Sequence, residues 1–202
     1  EYARRFARHV EEAPTSIDLD RYRFGTDRVH EREPVFGWIG MGINLPSLEA
    51  VVDPLRRVCA AHPGAVVHVI SDGAPTMPGV PLRVVPWSRD TEIDSLRAVD
   101  IGLMPLPDEP WSRGKCAWKA LQYMAMGIPP VVSPVGANRE VVADGVCGLW
   151  ADTNESWERA LTRLSDDPEL RRRLGAAARR RVEEHYHSGA AIERLFLPVR
   201  VE

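Results

Sequence analysis

Residues 35–44 read VFGWIGMGIN, a short apolar run that ends in a loop with two glycines. In the segment that follows, apolar side chains recur at helical spacing from Leu48 to Val58 and predict a helix at 45–61. A strand, a glycine turn and a helix in this order form the repeating unit of a parallel β-sheet. The stretch therefore predicts an α/β domain that begins near Pro34.

The same alternation of strand and helix continues along the chain. The remaining predicted elements are strands at 66–70, 82–85, 101–104, 129–133 and 145–150, and helices at 90–99, 116–126, 154–164 and 167–186. The longer strands are continuously apolar instead of alternating, which is typical of a parallel sheet covered on both faces. We expect an α/β fold with a doubly wound parallel sheet, Rossmann-like, whose ligands bind in the loops at the carboxyl ends of the strands.

The N-terminal segment differs from the rest of the chain. Tyr2, Phe6 and Val10 lie four residues apart and predict a helix, and the residues after it have no sustained period and predict an extended connector. We therefore divide the chain into an N-terminal helix with connector at 1–33 and one domain with C-terminal helices at 34–202. Because the chain opens inside a predicted helix and without Met, we expect it to be part of a larger architecture.

Composition narrows the class of protein. The 202 residues are 44% hydrophobic and 27% charged, which matches globular proteins and excludes a disordered tail, a collagen or a coiled-coil rod. With 26 basic and 29 acidic side chains, the net charge of −3 argues against nucleic acid as a partner. No apolar run is long enough for a membrane span, and three separated cysteines fit a reduced compartment, so we expect a cytoplasmic protein.

Several conspicuous residue types predict no special chemistry. The three cysteines, Cys59, Cys116 and Cys147, are expected to be small buried side chains. Neither they nor the histidines have metal-ligand spacing, so we expect no metal cofactor. Two basic triplets, 171–173 and 179–181, share a predicted helix with glutamates and indicate a solvated face.

The loop after the first strand is a candidate anion site. Gly40, Met41 and Gly42 lie between a buried strand and a predicted helix start. Glycine lets the backbone approach a phosphate closely, and the free amides of a helix start favour an anion. The alternative is an ordinary strand-to-helix turn, because the loop lacks the third glycine and the downstream acid of a dinucleotide-binding fingerprint.

A second candidate segment, residues 105–116, is dense in proline and charge and contains Arg113, Gly114, Lys115 and Cys116. Lys115 would stand at a helix start, where the macrodipole prefers an acid, and a bound diphosphate would resolve that conflict. Arg113 and Lys115 would then supply the countercharge. The alternative is two solvated basic residues in a loop.

Polar residues on the following elements could complete the same cleft. Lys119 and Gln122 lie three apart on the predicted helix, and the Gln122 amide offers the donor and acceptor groups that suit the vicinal hydroxyls of a ribose. The alternative for Gln122 is a surface glutamine. Asn138 and Glu140 follow the next strand and could face the cleft, or they could cap the next helix.

Four consecutive segments carry a family resemblance. They are DIGLMPLPD at 100–108, WSRGKC at 111–116, KALQYMAMGIP at 119–129 and SPVGANRE at 133–140. Together they closely resemble the donor half of retaining glycosyltransferases of the GT-B fold, family four, also known as glycosyl transferases group 1. The likeness extends over essentially the whole chain. It implies a C-terminal Rossmann-like domain that binds a nucleotide diphosphate sugar and faces an N-terminal acceptor domain across a cleft.

The resemblance also implies roles for single residues. The loop at 40–42 and Lys115 would embrace the diphosphate, with Arg113 or Lys119 in place of the family's usual basic clamp. Val85 and Trp87 would contact the base, and Gln122 the ribose. The implied partners are a nucleotide sugar and a missing acceptor domain or partner chain, which could also bring contact with a membrane surface.

One departure leaves the catalytic residues unassigned. The family's usual pair of glutamates falls at Gly114 and Gln122, and neither is a carboxylate. We therefore expect a hexosyltransferase-like donor half that transfers little or no sugar alone. The alternative is a noncatalytic nucleotide-binding or interaction module beside a separate acceptor-binding chain. A third option is a sugar-nucleotide epimerase, which shares the fold but lacks the family segments.

Overall fold

The computed structural model describes residues 3–8, 10, 14–23 and 33–189. Its centre is a six-stranded sheet in which every neighbouring pair is parallel, in the order β3-β2-β1-β4-β5-β6. The strands are β1 (Val35–Ile39), β2 (Val66–Ser71), β3 (Leu82–Pro86), β4 (Ile101–Met104), β5 (Pro130–Val132) and β6 (Leu149–Trp150). The strand order reverses direction between β1 and β4, which confirms the predicted doubly wound α/β fold.

Helices cover both faces of the sheet. They are α1 (Leu45–Glu49), α2 (Val52–Ala61), α3 (Glu92–Arg97), α4 (Pro110–Arg113), α5 (Trp118–Ala125), α6 (Asn138–Val141), α7 (Asn154–Asp166) and α8 (Pro168–His185). Helices α2 and α7 pack together in one apolar cluster, and α5 packs against α8 in the other. The sheet therefore lies between two cores, as its continuously apolar strands predict.

Helix α5 lies unusually close to the sheet at Gly102. A Cβ atom at this position would overlap the Tyr123 ring, so only glycine leaves room for the ring against β4. The buried Tyr123 hydroxyl donates to the Gly37 carbonyl at 3.1 Å and accepts from the Ile39 amide at 3.1 Å. This contact fixes α5, and with it the polar residues at its start, against the edge where the strand order reverses.

Two predicted helices are interrupted in the structure. The helix expected at 45–61 is divided into α1 and α2 at residues 50–51, because Pro54 has no amide hydrogen to continue the ladder. The helix expected at 116–126 begins only at Trp118, after Ala117 in a left-handed conformation, and the short helix α4 precedes it. Lys115 therefore lies in the turn between two helices and not at a helix start.

The described N-terminal residues do not form the expected helix. Ala3–Arg5 is a single 3-10 turn that does not continue through residue 8, and Tyr2 lies outside the described residues. The described part of the connector packs on the domain: Ile17 is fully buried, and its amide donates to the Tyr186 carbonyl at 2.8 Å. Ile17 and Tyr22 of this segment thus form part of the domain's core.

Half of the basic residues expected on a solvated face bind carbonyl groups instead. Arg171 is 1% exposed and donates to two carbonyls at the end of α7. Arg179 donates to the Ala125 carbonyl at 2.7 Å, and Arg181 donates to the Val141 carbonyl at 2.8 Å. The solvated-face prediction was wrong for these three because helix ends carry unsatisfied carbonyls that a guanidinium can reach.

Candidate functional site

A cavity of about 600 Å³ opens at the carboxyl edge of the sheet, where the strand order reverses. Its walls come from the loops after β1, β2 and β3, from the end of β4, and from helices α3 and α5 with the turn before α5. The lining residues are Ile39, Gly40, Met41, Asn44, Asp72, Trp87, Glu92, Met104, Gly114, Lys115, Cys116, Trp118, Lys119 and Gln122. A volume of this size suits a nucleotide-sized ligand.

Only two of the three residues predicted in the loop after β1 line the cavity. Gly40 and Met41 line it, and a Cβ at Gly40 would lie 2.8 Å from the Lys119 Cε, so the close approach requires glycine. Gly42 does not line it, and its amide donates to the Asp72 Oδ1 at 2.5 Å. That amide is therefore engaged by a carboxylate and is not directed at a ligand.

Lys115 and Lys119 bring two positive charges to one wall of the cavity. The Lys115 Nζ donates to the Asn44 Oδ1 at 3.1 Å, and the Lys119 Nζ lies 5.1 Å from the centre of the Trp38 ring. Burial, and then the nearby charge of Lys115, lower the pKa of Lys119 to about 8. Within the described part of the chain, no carboxylate lies at ion-pair distance from either ammonium group. The pair is thus suited to bind an anion.

Arg113 lies outside this cavity, contrary to its predicted role. Its Nε donates to the Asp108 Oδ1 at 2.6 Å on the exposed surface, and this guanidinium lowers the pKa of the Asp108 carboxyl. Gly114 and Cys116 do line the cavity. Cys59 is buried, as predicted, whereas the Cys116 side chain is exposed, contrary to the prediction.

A hydrogen-bonded group of four side chains forms another wall. Gln122 is 3% exposed, and its Nε2 donates to the Tyr22 hydroxyl at 2.9 Å and to the Glu92 Oε1 at 3.3 Å. The Trp87 Nε1 donates to the Glu92 Oε2 at 2.7 Å, and the Tyr22 hydroxyl also donates to Glu92. Burial, and then the hydrogen bond to Glu92, raise the pKa of Tyr22 to about 12. Val85 is half-buried in β3 and does not line the cavity.

Glu92 is one of three polar cavity-lining residues that sequence reasoning missed, with Asn44 and Asp72. It lies in the first turn of α3, inside the helix predicted at 90–99. An acid in the first turn of a helix is common because it complements the macrodipole, so its residue type gave no signal. Only the tertiary contacts with Trp87 and Gln122 show that the carboxylate faces the cavity wall.

Asn138 and Glu140 do not reach the cavity. Asn138 is buried, and its Nδ2 donates to the Ser133 carbonyl at 2.8 Å. Glu140 is exposed, and α6 has Ala137 as its N-cap. The two residues neither face the cleft nor cap the helix. Helix α6 begins at Asn138 itself and directs Glu140 to solvent.

The described residues contain neither a metal cluster nor a membrane-spanning helix. No group of three His, Cys, Asp or Glu side chains there is arranged as a metal site. Among the helices in the same ranges, none is sufficiently long and apolar to span a membrane.

Residues 100–181 match the family model described as glycosyl transferases group 1. This part of the chain is thus similar to glycosyl transferases group 1. This segment runs from the start of β4 into α8 and includes the cavity-lining residues Gly114, Lys115, Lys119 and Gln122. The family resemblance of the sequence is thereby confirmed.

Curated relatives align with the chain over about half of its length. The D-inositol 3-phosphate glycosyltransferase of Streptosporangium roseum is 33% identical over 100 residues, which are 48% of this chain and 22% of that protein. The protein of the same name from Streptomyces griseus is 35% identical over 95 residues, 46% of this chain and 19% of its own length. The chain thus aligns with only about a fifth of these relatives.

Solved structures share the fold of most of the chain. The C-terminal domain of a glycosyl transferase group 1 family protein from Francisella tularensis superposes with a TM-score of 0.69 at 16% identity, covering 85% of this chain and 99% of that one. Anabaena HepE, solved in complex with UDP and glucose, gives a TM-score of 0.69 at 14% identity, with 89% of this chain and 54% of that one covered. The chain therefore has the fold of a GT-B C-terminal domain.

Proposed function

We propose that the chain is the donor-binding half of a glycosyltransferase. It binds a nucleotide diphosphate sugar in the cavity at the reversal of strand order, for retaining transfer to an acceptor held by an N-terminal domain or a partner chain. The observation that carries the proposal is the pair Lys115 and Lys119, two cations at one cavity wall with no carboxylate partner in the described residues. The match of residues 100–181 to glycosyl transferases group 1 supports it.

Within the cavity, the two lysines form the part that best suits a diphosphate. Burial of an ammonium group is unfavourable, as the lowered pKa of Lys119 indicates, and a bound anion would offset that cost. During transfer, negative charge grows on the departing diphosphate as the anomeric bond breaks. Ammonium groups already held in place would stabilise that charge without reorganising, which lowers the barrier. Lys115 and Lys119 are thus assigned to the leaving group.

The other end of the cavity fits a nucleoside. Trp87 is 50% exposed and presents an indole on which a base can stack, and Gln122 lies beside it through their shared partner Glu92. The complexes of Anabaena HepE with UDP support a nucleotide in a cavity of this fold. Trp87 and Gln122 are thus assigned to the base and the ribose.

A noncatalytic nucleotide-binding module is the second candidate. The absence of carboxylates at Gly114 and Gln122 favours it, because the resemblance places glutamates at both positions. The two candidates differ in one measurable property: a donor half cleaves the sugar from a nucleotide sugar when its acceptor domain is present, and a binding module does not. Release of UDP, GDP or ADP by the longest natural chain that contains these residues therefore separates them.

Calorimetry tests the shared claim of nucleotide binding. UDP, GDP and ADP would be titrated into the chain and into Lys115→Ala, with Arg113→Ala as the matched control from the same segment. Loss of one charge-assisted contact costs about 1.5–3 kcal/mol, so Lys115→Ala should weaken binding by roughly 10- to 150-fold. Arg113→Ala should bind like the unchanged chain, since its guanidinium pairs with Asp108 outside the cavity. No binding of any of the three nucleotides would overturn the proposal.

A further inference from the structure

The carboxylate of Glu92 is held at the cavity wall from several directions. The residue is 6% exposed and lines the cavity. Its Oε2 accepts from the Trp87 Nε1 at 2.7 Å, and its Oε1 accepts from the Tyr22 hydroxyl and from the Gln122 Nε2 at 3.3 Å. An Arg21 guanidinium nitrogen lies 3.6 Å from Oε1. These contacts fix the orientation of the carboxylate.

The Glu92 carboxylate keeps an acceptor position that no described residue uses. A carboxylate has about four acceptor positions, two on each oxygen. On Glu92, Oε1 takes two close hydrogen bonds, whereas Oε2 takes only the one from Trp87 among the described residues. One acceptor position on Oε2 therefore remains.

The amide of Gln122 leaves a second acceptor. Its Nε2 donates to the Tyr22 hydroxyl at 2.9 Å and to the Glu92 Oε1 at 3.3 Å. The amide cannot be flipped, because its oxygen would then face the Glu92 carboxylate oxygen. Its own Oε1 accepts no hydrogen bond from any side chain or amide in the described ranges. Two unused acceptors therefore lie on adjacent residues that both line the cavity.

Two adjacent acceptors match a vicinal diol, which presents two hydroxyl donors. We propose that Glu92 and Gln122 together bind the ribose hydroxyls of the nucleotide, with the carboxylate supplied by α3. The assignment rests on the proposed function, because the ribose stands between the diphosphate at Lys115 and Lys119 and the base at Trp87. Gln122 alone would bind a diol through a neutral acceptor, and Glu92 adds the stronger, charge-assisted one.

The test compares ribose with 2′-deoxyribose. Calorimetry measures UDP, GDP and ADP against their 2′-deoxy counterparts and inorganic pyrophosphate, with the unchanged chain, Glu92→Gln and the control Asp94→Asn. Asp94 lies on the same helix, and its carboxylate forms an exposed pair with Arg97. Asp94→Asn therefore removes one negative charge, as Glu92→Gln does, but away from the cavity. We expect the unchanged chain and Asp94→Asn to prefer the ribonucleotide at least tenfold. In Glu92→Gln this ratio should fall below threefold, with pyrophosphate affinity retained.

Three results separate the possible failures. An unchanged chain that binds ribo- and deoxynucleotides equally would overturn the ribose assignment even if Glu92→Gln did not fold. A Glu92→Gln variant that keeps the full ratio, or loses both nucleotides equally, would also overturn it. If neither a nucleotide nor pyrophosphate binds the unchanged chain, the proposed function itself fails.

Discussion

Replacement of Lys119 by methionine should stabilise the protein while weakening its ligand binding. The Lys119 side chain lies beside Gly40 and over the Trp38 ring, and burial, then the charge of Lys115, lower the pKa of its ammonium group from 10.5 to about 8. Methionine keeps an unbranched stem of similar length and removes the charge. The substitution therefore isolates the cost of keeping a cation at the cavity wall.

The size of the effect follows from the pKa. A displacement from 10.5 to about 8 corresponds to roughly 3 kcal/mol of unfavourable free energy in the folded state below pH 8. The lost cation–π contact with Trp38 offsets about 0.5–2 kcal/mol of that gain. The variant should thus be more stable by about 1–3 kcal/mol at pH 7.

The stability of the unchanged chain relative to Lys119→Met should rise with pH. Between pH 8 and 10.5 the folded chain releases the Lys119 proton while the unfolded chain retains it, so the free energy of unfolding rises with pH. Relative to Lys119→Met, the unchanged chain should gain about 1.4 kcal/mol per pH unit above pH 8. The difference between the two proteins should therefore shrink between pH 8 and 9.5.

Urea denaturation at pH 7, 8.5 and 9.5 measures this difference, with Arg173→Met as a control that removes an exposed cation from α8. The control should show no pH-dependent gap. If Lys119→Met is less stable than the unchanged chain at pH 7, or if the gap does not change with pH, Lys119 is not a destabilising buried cation and the reasoning is refuted.

Three further predictions concern binding and packing. Nucleoside diphosphate affinity, followed by calorimetry, should fall as pH rises above about 8 because Lys119 loses its proton; a flat profile to pH 9.5 would contradict a role for it. Arg171→Ala should destabilise the protein by about 2–4 kcal/mol in urea, since two buried carbonyls at the end of α7 lose their donor, whereas Arg172→Ala should change little. Gly37→Ala should cost about 1–3 kcal/mol because its Cβ overlaps Val99, and Val99→Ala in the same chain should recover part of the loss.

The sheet was predictable because its signals are local. The strands at 35–39 and 101–104 are continuous apolar runs, and those at 66–70 and 82–85 contain one polar residue each. All four have a turn residue close behind, and the helices between them carry their own periodicity. The helix breaks were less predictable. Pro54 was visible in the sequence, but the left-handed Ala117 that precedes α5 has no residue-type signal, since left-handed conformations favour Gly and Asn.

The sequence indicated the two lysines of the candidate site but not its acid, Glu92. Gly40, Met41, Lys115, Lys119 and Gln122 come together as expected because the carboxyl ends of parallel strands meet at one edge. Arg113 lies outside the cavity, since sequence order cannot show which way the short helix α4 directs its last side chain. Glu92 became visible only through its contacts, which join residues distant in the chain.

The most direct test of the central claim is a crystal structure of the chain with a bound nucleoside diphosphate. The account predicts diphosphate oxygens about 2.7–3.2 Å from the Nζ atoms of Lys115 and Lys119, at the edge between β1 and β4. A diphosphate bound elsewhere on the surface, with both lysines still free of it, would contradict the account.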